Sequence, residues 1–303
     1  MAHLISIVGP TAAGKTALSL KLAGGYAAPI VSADSVQVYR GLDIGSGKIR
    51  PEEMQGVPHY LLDVRDPDTD FSAGEYGRTV DALLEELFAQ HPVVLLVGGA
   101  GFYFQAVWEG FDEMPAIKPG VREALNAEWK AEGLAPLGEE LAAADPATWA
   151  TIDRNNPMRI LRALEVWRSA GRPISYYRGR RPPKLKSYTD LKVGIEVERS
   201  ILYARIERRV EAMLAAGWLA EVEEVARLHG LDCKGLQSLG YRELVRYRRG
   251  ELTWEDAVVQ IKQNTRRYAK RQMTWFRRDP AIRWFGAEDG AALLDWVAVE
   301  LAK

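Results

Sequence analysis

Eight residues near the amino terminus have the types and spacing of a phosphate-binding loop. They read GPTAAGKT, from Gly9 to Thr16, and fit the pattern G-x-x-x-x-G-K-S/T. In this pattern the backbone N–H groups cradle adjacent phosphates at a helix N-terminus. Lys15 would reach a terminal phosphate oxygen, and the Thr16 hydroxyl would help to hold Mg²⁺. The loop predicts a site for a diphosphate or a triphosphate and leaves open which molecule carries it.

The carboxylate of Asp34 is a second group suited to chemistry, because it ends the apolar run APIVSAD. The carboxyl ends of parallel strands meet at one edge of a sheet, so we expect Asp34 beside the phosphate loop. There it could accept a proton from an attacking group; the alternative is that it caps a loop or helix. The run VVLLVGG ends in Gly98 and Gly99, where an energy-coupling ATPase usually has an acidic residue. The pattern favours group transfer to an acceptor over a motor or switch ATPase.

Alternating strands and helices are predicted around these groups. The runs HLISIVG, APIVSAD, HYLLDV and HPVVLLVGG are typical of strands, and helices are predicted between them over residues 16–25 and 73–90. Strands that alternate with helices indicate an α/β fold with a parallel sheet, here of the P-loop NTPase type.

The strand pattern stops at about residue 112 and returns in KVGIEVE, residues 192–198. Two long helices are then predicted, over 199–216 and 252–278. The domain division that follows is an α/β core with C-terminal helices, residues 1–112 and 193–303, and a helical insert domain, residues 113–192.

Charge is segregated along the chain although the formal net charge is −1. Residues 51–150 are acidic, whereas 151–192 and 241–285 are basic. The run NTRRYAKRQMTWFRR interleaves cations with aromatic rings, which favours RNA because cations contact phosphates and rings stack on exposed bases. The alternative is a solvated surface helix. Arg205 and Arg209 lie one helical turn apart and could point into the phosphate site.

Cysteine content and hydropathy limit the other possibilities. The single cysteine, Cys233, allows neither a disulfide framework nor a cysteine-based zinc site within the chain. No apolar run has the length of a membrane span, and the chain starts in a predicted strand without a signal-peptide pattern. We therefore expect a cytoplasmic protein with no membrane partner.

Further blocks, in order along nearly the whole chain, resemble the tRNA dimethylallyltransferases. They are SADSVQVYRGLDIG, GVPHYLLDVRDP, FSAGEY, VGGAGFYFQAV, NPMRILRALEVWRSAG, LYARIERRVEAML, LGYREL and KRQMTWFRR. The resemblance implies transfer of a dimethylallyl group from dimethylallyl diphosphate to N6 of the adenosine 3′-adjacent to the anticodon in tRNA. It also implies release of diphosphate, use of Mg²⁺ and contact of the helical insert with the tRNA anticodon arm. We expect a monomer, because such a tRNA needs only one active site.

The resemblance also assigns roles to residues. The catalytic positions are Asp34, Thr11 and Arg209, and the metal positions are Thr16, with Asp34 as a second candidate. The diphosphate-binding positions are Gly9, Pro10, Thr11, Ala12, Ala13, Gly14, Lys15, Thr16, Ala100 and Arg209. The tRNA-binding positions are Asp34, Ser35, Val36, Gln37, Arg122, Met158, Arg159, Ile160, Leu161, Arg162, Gln237, Gly240, Tyr241, Arg242, Lys270, Arg271, Gln272, Trp275 and Arg277.

Two positions depart from the family pattern. Ala100 stands where the family usually has a threonine, and Met158 stands where glutamine is common. A hydrogen bond to a charged partner contributes roughly 1.5–3 kcal/mol, so we expect reduced activity that Ala100→Thr would raise. The alternatives are a free-adenylate isopentenyltransferase, a P-loop small-molecule kinase and an RNA-binding NTPase switch. The basic segments favour tRNA over a free nucleotide.

Overall fold

The computed structural model describes residues 2–181 and 184–303. The chain forms two compact units, one made of Met1–Trp108 and Leu185–Lys303 and the other of Glu109–Lys184. These boundaries lie a few residues before the predicted ones at 113 and 192. Pro182 and Pro183, in the basic loop RGRRPPKLK, lie outside the described residues.

A parallel sheet forms the centre of the larger unit, and the described residues give it six strands in the order β3-β2-β4-β1-β5-β6. All of its pairings are parallel, which confirms the predicted α/β fold. The strands are β1 Ala2–Val8, β2 Ile30–Ala33, β3 His59–Tyr60, β4 Val93–Gly98, β5 Tyr188–Glu196 and β6 Arg283–Gly286.

Helices follow the strands along the chain, and their bounds agree closely with the four predicted helices. In the larger unit they are α1 Lys15–Tyr26, α2 Ala73–Phe88 and α3 Gly101–Trp108. The smaller unit holds α4 Val121–Glu132, α5 Ala135–Ala144, α6 Pro146–Thr151, α7 Pro157–Ala170 and α8 Ile174–Tyr177. The larger unit continues with α9 Arg199–Ala215, α10 Trp218–His229, α11 Tyr241–Arg248, α12 Trp254–Phe276 and α13 Gly290–Leu301. None of these helices has both the length and the apolar character needed to cross a membrane.

Two strands differ from the sequence prediction. The run HYLLDV forms only a two-residue strand, because Leu61 and Asp63 take φ angles of 62° and 56° that an extended strand does not allow. β5 begins at Tyr188 rather than at Lys192. Asp190 lies within this added part of the strand, where its carboxylate accepts the Ser6 hydroxyl at 2.9 Å. A buried polar residue with a partner costs little, but it hides the strand pattern in the sequence.

The sheet is covered on both faces, and alternate residues of β1 show this directly. Leu4 and Val8 belong to one apolar cluster, whereas Ile5 and Ile7 belong to a second. Each of these side chains is fully buried, and such burial contributes about 1.5–3 kcal/mol per residue. A sheet that is buried on both faces leaves the ends of its strands as the place where a ligand can bind.

The smaller unit is a helical assembly around α7. Asn156 caps this helix by accepting the Arg159 N–H, and Gly171 ends it with a φ of 66°. Its inner face packs apolar residues such as Leu161 and Leu164 against the neighbouring helices. The unit therefore has a core of its own.

Candidate active site

A cavity of about 690 Å³ lies at the carboxyl edge of the sheet. The loops after β1, β2 and β4 meet there because these strands are neighbours in the sheet. Helices α9 and α12 supply two further walls. The lining residues include most of the phosphate loop, the segment Asp34–Gln37, Gly99, Arg205, Arg209, Tyr268 and Gln272. The structure thus brings the predicted phosphate loop and the predicted carboxylate into one cavity.

The phosphate loop presents free backbone donors at the start of α1. Within the described part of the chain, the N–H groups of Ala12, Gly14, Lys15 and Thr16 have no hydrogen-bond acceptor. The loop can turn so tightly because Gly9 has a φ of 153°, and a Cβ there would lie 2.8 Å from the Ile195 carbonyl oxygen. Free donors at a helix N-terminus form a site for an anion.

Lys15 supplies a cation within the phosphate loop itself. Its Nζ donates to the carbonyl oxygens of Gly9 at 2.9 Å and Pro10 at 2.8 Å. Burial lowers the pKa of Lys15, the charge of Asp34 opposes this shift and that of Arg209 adds to it, and the net result is a pKa of about 8. The cavity therefore holds a lysine that an incoming anion would stabilise in its charged form.

Arg209 supplies a second cation from α9. Burial lowers its pKa, whereas the charge of Asp34 raises it. An arginine remains protonated at physiological pH even when it is desolvated. Two desolvated cations thus face one carboxylate across the cavity, and a multiply charged anion would balance them.

The carboxylate of Asp34 is held by the backbone that follows it. Its Oδ1 accepts the N–H groups of Val36 at 2.9 Å and Gln37 at 3.4 Å. Its Oδ2 makes no hydrogen bond with any residue that the structure describes. One oxygen therefore fixes the orientation of the group and the other is available to a ligand.

The residues of the cavity suit a Mg²⁺ ion that is also coordinated by the phosphates of a substrate. Among the described residues there is no group of three or more histidine, cysteine, aspartate or glutamate side chains that could hold a metal ion. Mg²⁺ often binds through one or two protein oxygens together with substrate phosphates and water. The Thr16 hydroxyl and the Asp34 carboxylate are the oxygens that fit this role.

The pKa of Lys15 predicts how diphosphate binding depends on pH. A bound diphosphate favours the protonated amine, so we expect binding to take up a proton above pH 8 and the affinity to fall as pH rises beyond that value. Calorimetry of diphosphate binding near pH 8.5, in two buffers that differ in ionisation enthalpy, measures this uptake. Equal heats in both buffers would contradict the assignment.

The family model for IPP transferases matches residues 37–279. The chain belongs to the IPP transferase family. It is similar to a tRNA dimethylallyltransferase of Symbiobacterium thermophilum, with 48% identity over 93% of this chain and 88% of that protein. It is also similar to the one of Bacillus subtilis, with 41% identity over 93% of this chain and 90% of that protein. The chain is also similar to the crystal structure of a tRNA isopentenylpyrophosphate transferase from Bacillus halodurans, with 36% identity and a TM-score of 0.74. That match covers the whole of this chain and 97% of the other protein.

Several residues that the resemblance linked to tRNA are exposed in this IPP transferase. On α12 and at its C-cap these are Lys270, Arg271 and Arg277, and on α11 and just before it they are Arg242 and Gln237. In the smaller unit they are Met158 and Arg159, while Arg122 and Arg162 both pair with Glu165, at 2.6 and 3.1 Å. The side chains of Ser35, Val36 and Gln37 line the cavity.

Other residues of that set have side chains that are buried or partly buried. Ile160 and Leu161 are 1% and 3% exposed within the core of the smaller unit. Tyr241 is fully buried and donates its hydroxyl to Glu221 at 2.6 Å. Gly240 and Gln272 are buried as well, and Trp275 packs its ring 4.6 Å from that of Phe102. The assignment of Ile160, Leu161, Tyr241 and Gln272 to tRNA binding therefore stays a prediction from the resemblance.

Three predicted diphosphate positions are not part of the cavity lining. Gly9 and Pro10 contribute their carbonyl oxygens to Lys15 instead. The N–H of Ala100 donates to the Ala33 carbonyl oxygen at 3.1 Å, and its methyl group packs against the larger apolar cluster. The expected gain from Ala100→Thr therefore stays a prediction from the resemblance.

The structure also reveals a residue that the sequence did not single out. Glu221 on α10 accepts the N–H groups of Asp43, Ile44 and Gly45 at 2.6 to 3.1 Å. It thereby fixes the segment that continues into Ser46 and Gly47, which line the cavity. Since Glu221 lies nearly 180 residues further along the chain, no local pattern could have indicated this contact.

Proposed function

We propose that this IPP transferase moves a dimethylallyl group from dimethylallyl diphosphate to N6 of the adenosine 3′-adjacent to the anticodon in tRNA. The observation that carries the proposal is the joint placement of an anion-binding loop and a half-free carboxylate in one cavity. A diphosphate suits the free N–H donors together with Lys15 and Arg209. The names of the similar proteins support tRNA as the acceptor.

The donor would lie with its diphosphate on the loop and its allylic carbon toward Asp34. As the C1–O bond breaks, the diphosphate departs with the electron pair, and the cations of Lys15 and Arg209 stabilise the growing charge. Adenine N6 forms the new bond to C1 and releases a proton to the free oxygen of Asp34. Mg²⁺, when held by the Thr16 hydroxyl together with the diphosphate, would neutralise part of the diphosphate charge.

The acceptor base must leave the anticodon stack to enter a cavity in the protein. Flipping a base out of its stack costs a few kcal/mol, which backbone contacts must offset. The exposed cations Lys270, Arg271 and Arg277 on α12, and Arg159 in the smaller unit, suit contacts with RNA phosphates. We assign the protein to the cytoplasm. We also propose that it is a monomer, because one active site is sufficient for one anticodon arm.

Incubation with either dimethylallyl diphosphate or ATP, each with tRNA, an anticodon stem-loop or AMP, tests the proposal. We expect prenyl transfer to the two RNAs only, detected by mass spectrometry of the nucleosides. A stem-loop that carries inosine at the acceptor position is the matched control, because it lacks the N6 amine. Transfer to AMP alone would favour the free-adenylate enzyme, and phosphate release from ATP would favour a kinase or switch.

A further inference from the structure

Gln272 on α12 uses both ends of its side-chain amide inside the cavity. Its Oε1 accepts the N–H of Thr11 at 2.9 Å, and its Nε2 donates to the carbonyl oxygen of Gly99 at 2.9 Å. The residue is 5% exposed. It therefore joins α12 to the phosphate loop after β1 and to the end of β4.

The fit around this amide is close. A Cβ on Gly99 would lie 2.1 Å from the Gln272 Nε2, so a side chain there would displace the amide. One turn earlier on α12, Ala269 is fully buried against Leu202 and Ile206 of α9, and Ala12 of the phosphate loop packs on the same cluster. The inner face of α12 thus holds the loop through both apolar packing and the amide.

The amide also occupies one N–H group of the loop and leaves the others available to an anion. The Thr11 N–H is committed to Gln272, whereas the N–H groups of Ala12, Gly14, Lys15 and Thr16 have no acceptor among the described residues. Without Gln272, the Thr11 peptide would be free to turn and the mouth of the loop would widen. A preorganised ring of donors binds an anion better than one that must first be ordered.

We infer that Gln272 is a positioning residue for the diphosphate, acting through Thr11 and Gly99, and is not a contact with RNA. The inference deepens the proposed function and rests on it for the identity of the diphosphate donor. The exposed neighbours Lys270 and Arg271 would contact RNA from the solvent-facing side of the same helix turn. Adjacent residues of α12 would then serve two different substrates.

The test compares Gln272→Met, which removes both hydrogen bonds at similar length, with Arg271→Gln on the exposed face. We expect Gln272→Met to raise the KM for dimethylallyl diphosphate roughly tenfold or more and to leave the KM for RNA within about twofold. Arg271→Gln should show the reverse pattern. A raised KM for RNA with an unchanged KM for the diphosphate donor in Gln272→Met would overturn the inference.

A second variant, Gln272→Glu, separates positioning from a loss of folding. Its ionised carboxylate still accepts the Thr11 N–H but repels the Gly99 carbonyl oxygen, whereas the protonated acid can serve both partners. We therefore expect the diphosphate affinity of Gln272→Glu to recover toward that of the wild type as pH falls. If the affinities of the variant and the wild type changed in parallel with pH, this would count against the inference.

Measurements of diphosphate and RNA binding test the role of Gln272 separately from the proposed function, because they do not require prenyl transfer. Calorimetry with inorganic diphosphate and no RNA should show weaker binding to Gln272→Met and Gln272→Glu than to the wild type. The affinity of these two variants for a labelled stem-loop, measured by anisotropy without the donor, should be unchanged. If the wild type binds diphosphate but transfers no prenyl group, the proposed function fails and these binding results still decide the role of Gln272. Unchanged diphosphate binding in both variants would refute that role.

Discussion

Replacing Asp34 by asparagine is expected to slow prenyl transfer by ~10²–10⁴-fold. The asparagine oxygen can keep the hydrogen bonds from Val36 and Gln37, so the local backbone should not change. The other carboxylate oxygen, however, becomes an amide nitrogen that cannot take a proton from N6. Affinity for the diphosphate donor should not weaken, because the substitution removes a negative charge near Lys15 and Arg209.

The appropriate measurement is a single-turnover rate with enzyme in excess over an anticodon stem-loop. Asp66→Asn is the matched control, since Asp66 is half-exposed and pairs with Arg40 at 2.7 Å, outside the cavity. It should keep the wild-type rate. Transfer by Asp34→Asn at the same rate as the control would remove the assigned role of the carboxylate.

Replacing Lys15 by methionine is expected to lower the rate of transfer by ~10²–10³-fold and to raise the KM for dimethylallyl diphosphate. Methionine has a similar length but cannot donate to a phosphate oxygen or balance the charge of the leaving group. The effect on rate should exceed the effect on KM, because the charge on the diphosphate is larger in the transition state than in the bound donor.

Lys21→Met provides the control for this substitution, since Lys21 is exposed on the same helix, α1. Steady-state kinetics with the donor varied at saturating RNA separates the two parameters, and thermal melting shows whether each variant is folded. A Lys15→Met enzyme with the kinetics of the Lys21 control would mean that the loop does not hold the leaving group.

The local parts of the site were predictable from the sequence. The spacing of GPTAAGKT fixes a strand, a tight turn and a helix, and the structure has β1, the loop and α1 in those places. The position of Asp34 followed from the rule that parallel strands present their carboxyl ends at one edge. Both predictions depend on residues that are close in the chain and on a regular sheet.

The contacts made by Gln272 and Glu221 could not be predicted, because they join residues between 173 and 261 positions apart. Sequence similarity placed Gln272 in a block with exposed cations and so suggested contact with RNA. A block of similar residues on a helix does not distinguish the face that packs from the face that meets solvent.

Helical periodicity separates the buried from the exposed residues in one of the blocks that the resemblance linked to RNA. In NPMRILRALEVW the apolar residues Ile160, Leu161 and Leu164 follow the 3.6-residue repeat of a packed face, and all three are buried. Arg159 precedes them, Arg162 lies between Leu161 and Leu164, and both arginines are more exposed. Applying the repeat within each similar block would have separated the exposed cations from the core residues.

A crystal structure with an unreactive thio analogue of dimethylallyl diphosphate and an anticodon stem-loop would test the central assignment most directly. The account predicts that the diphosphate lies on the free N–H groups of the loop, contacted by Lys15 and Arg209. It also predicts that the amine of the flipped adenine lies within hydrogen-bonding distance of the free oxygen of Asp34. A diphosphate bound elsewhere, or an adenine amine remote from Asp34, would contradict it.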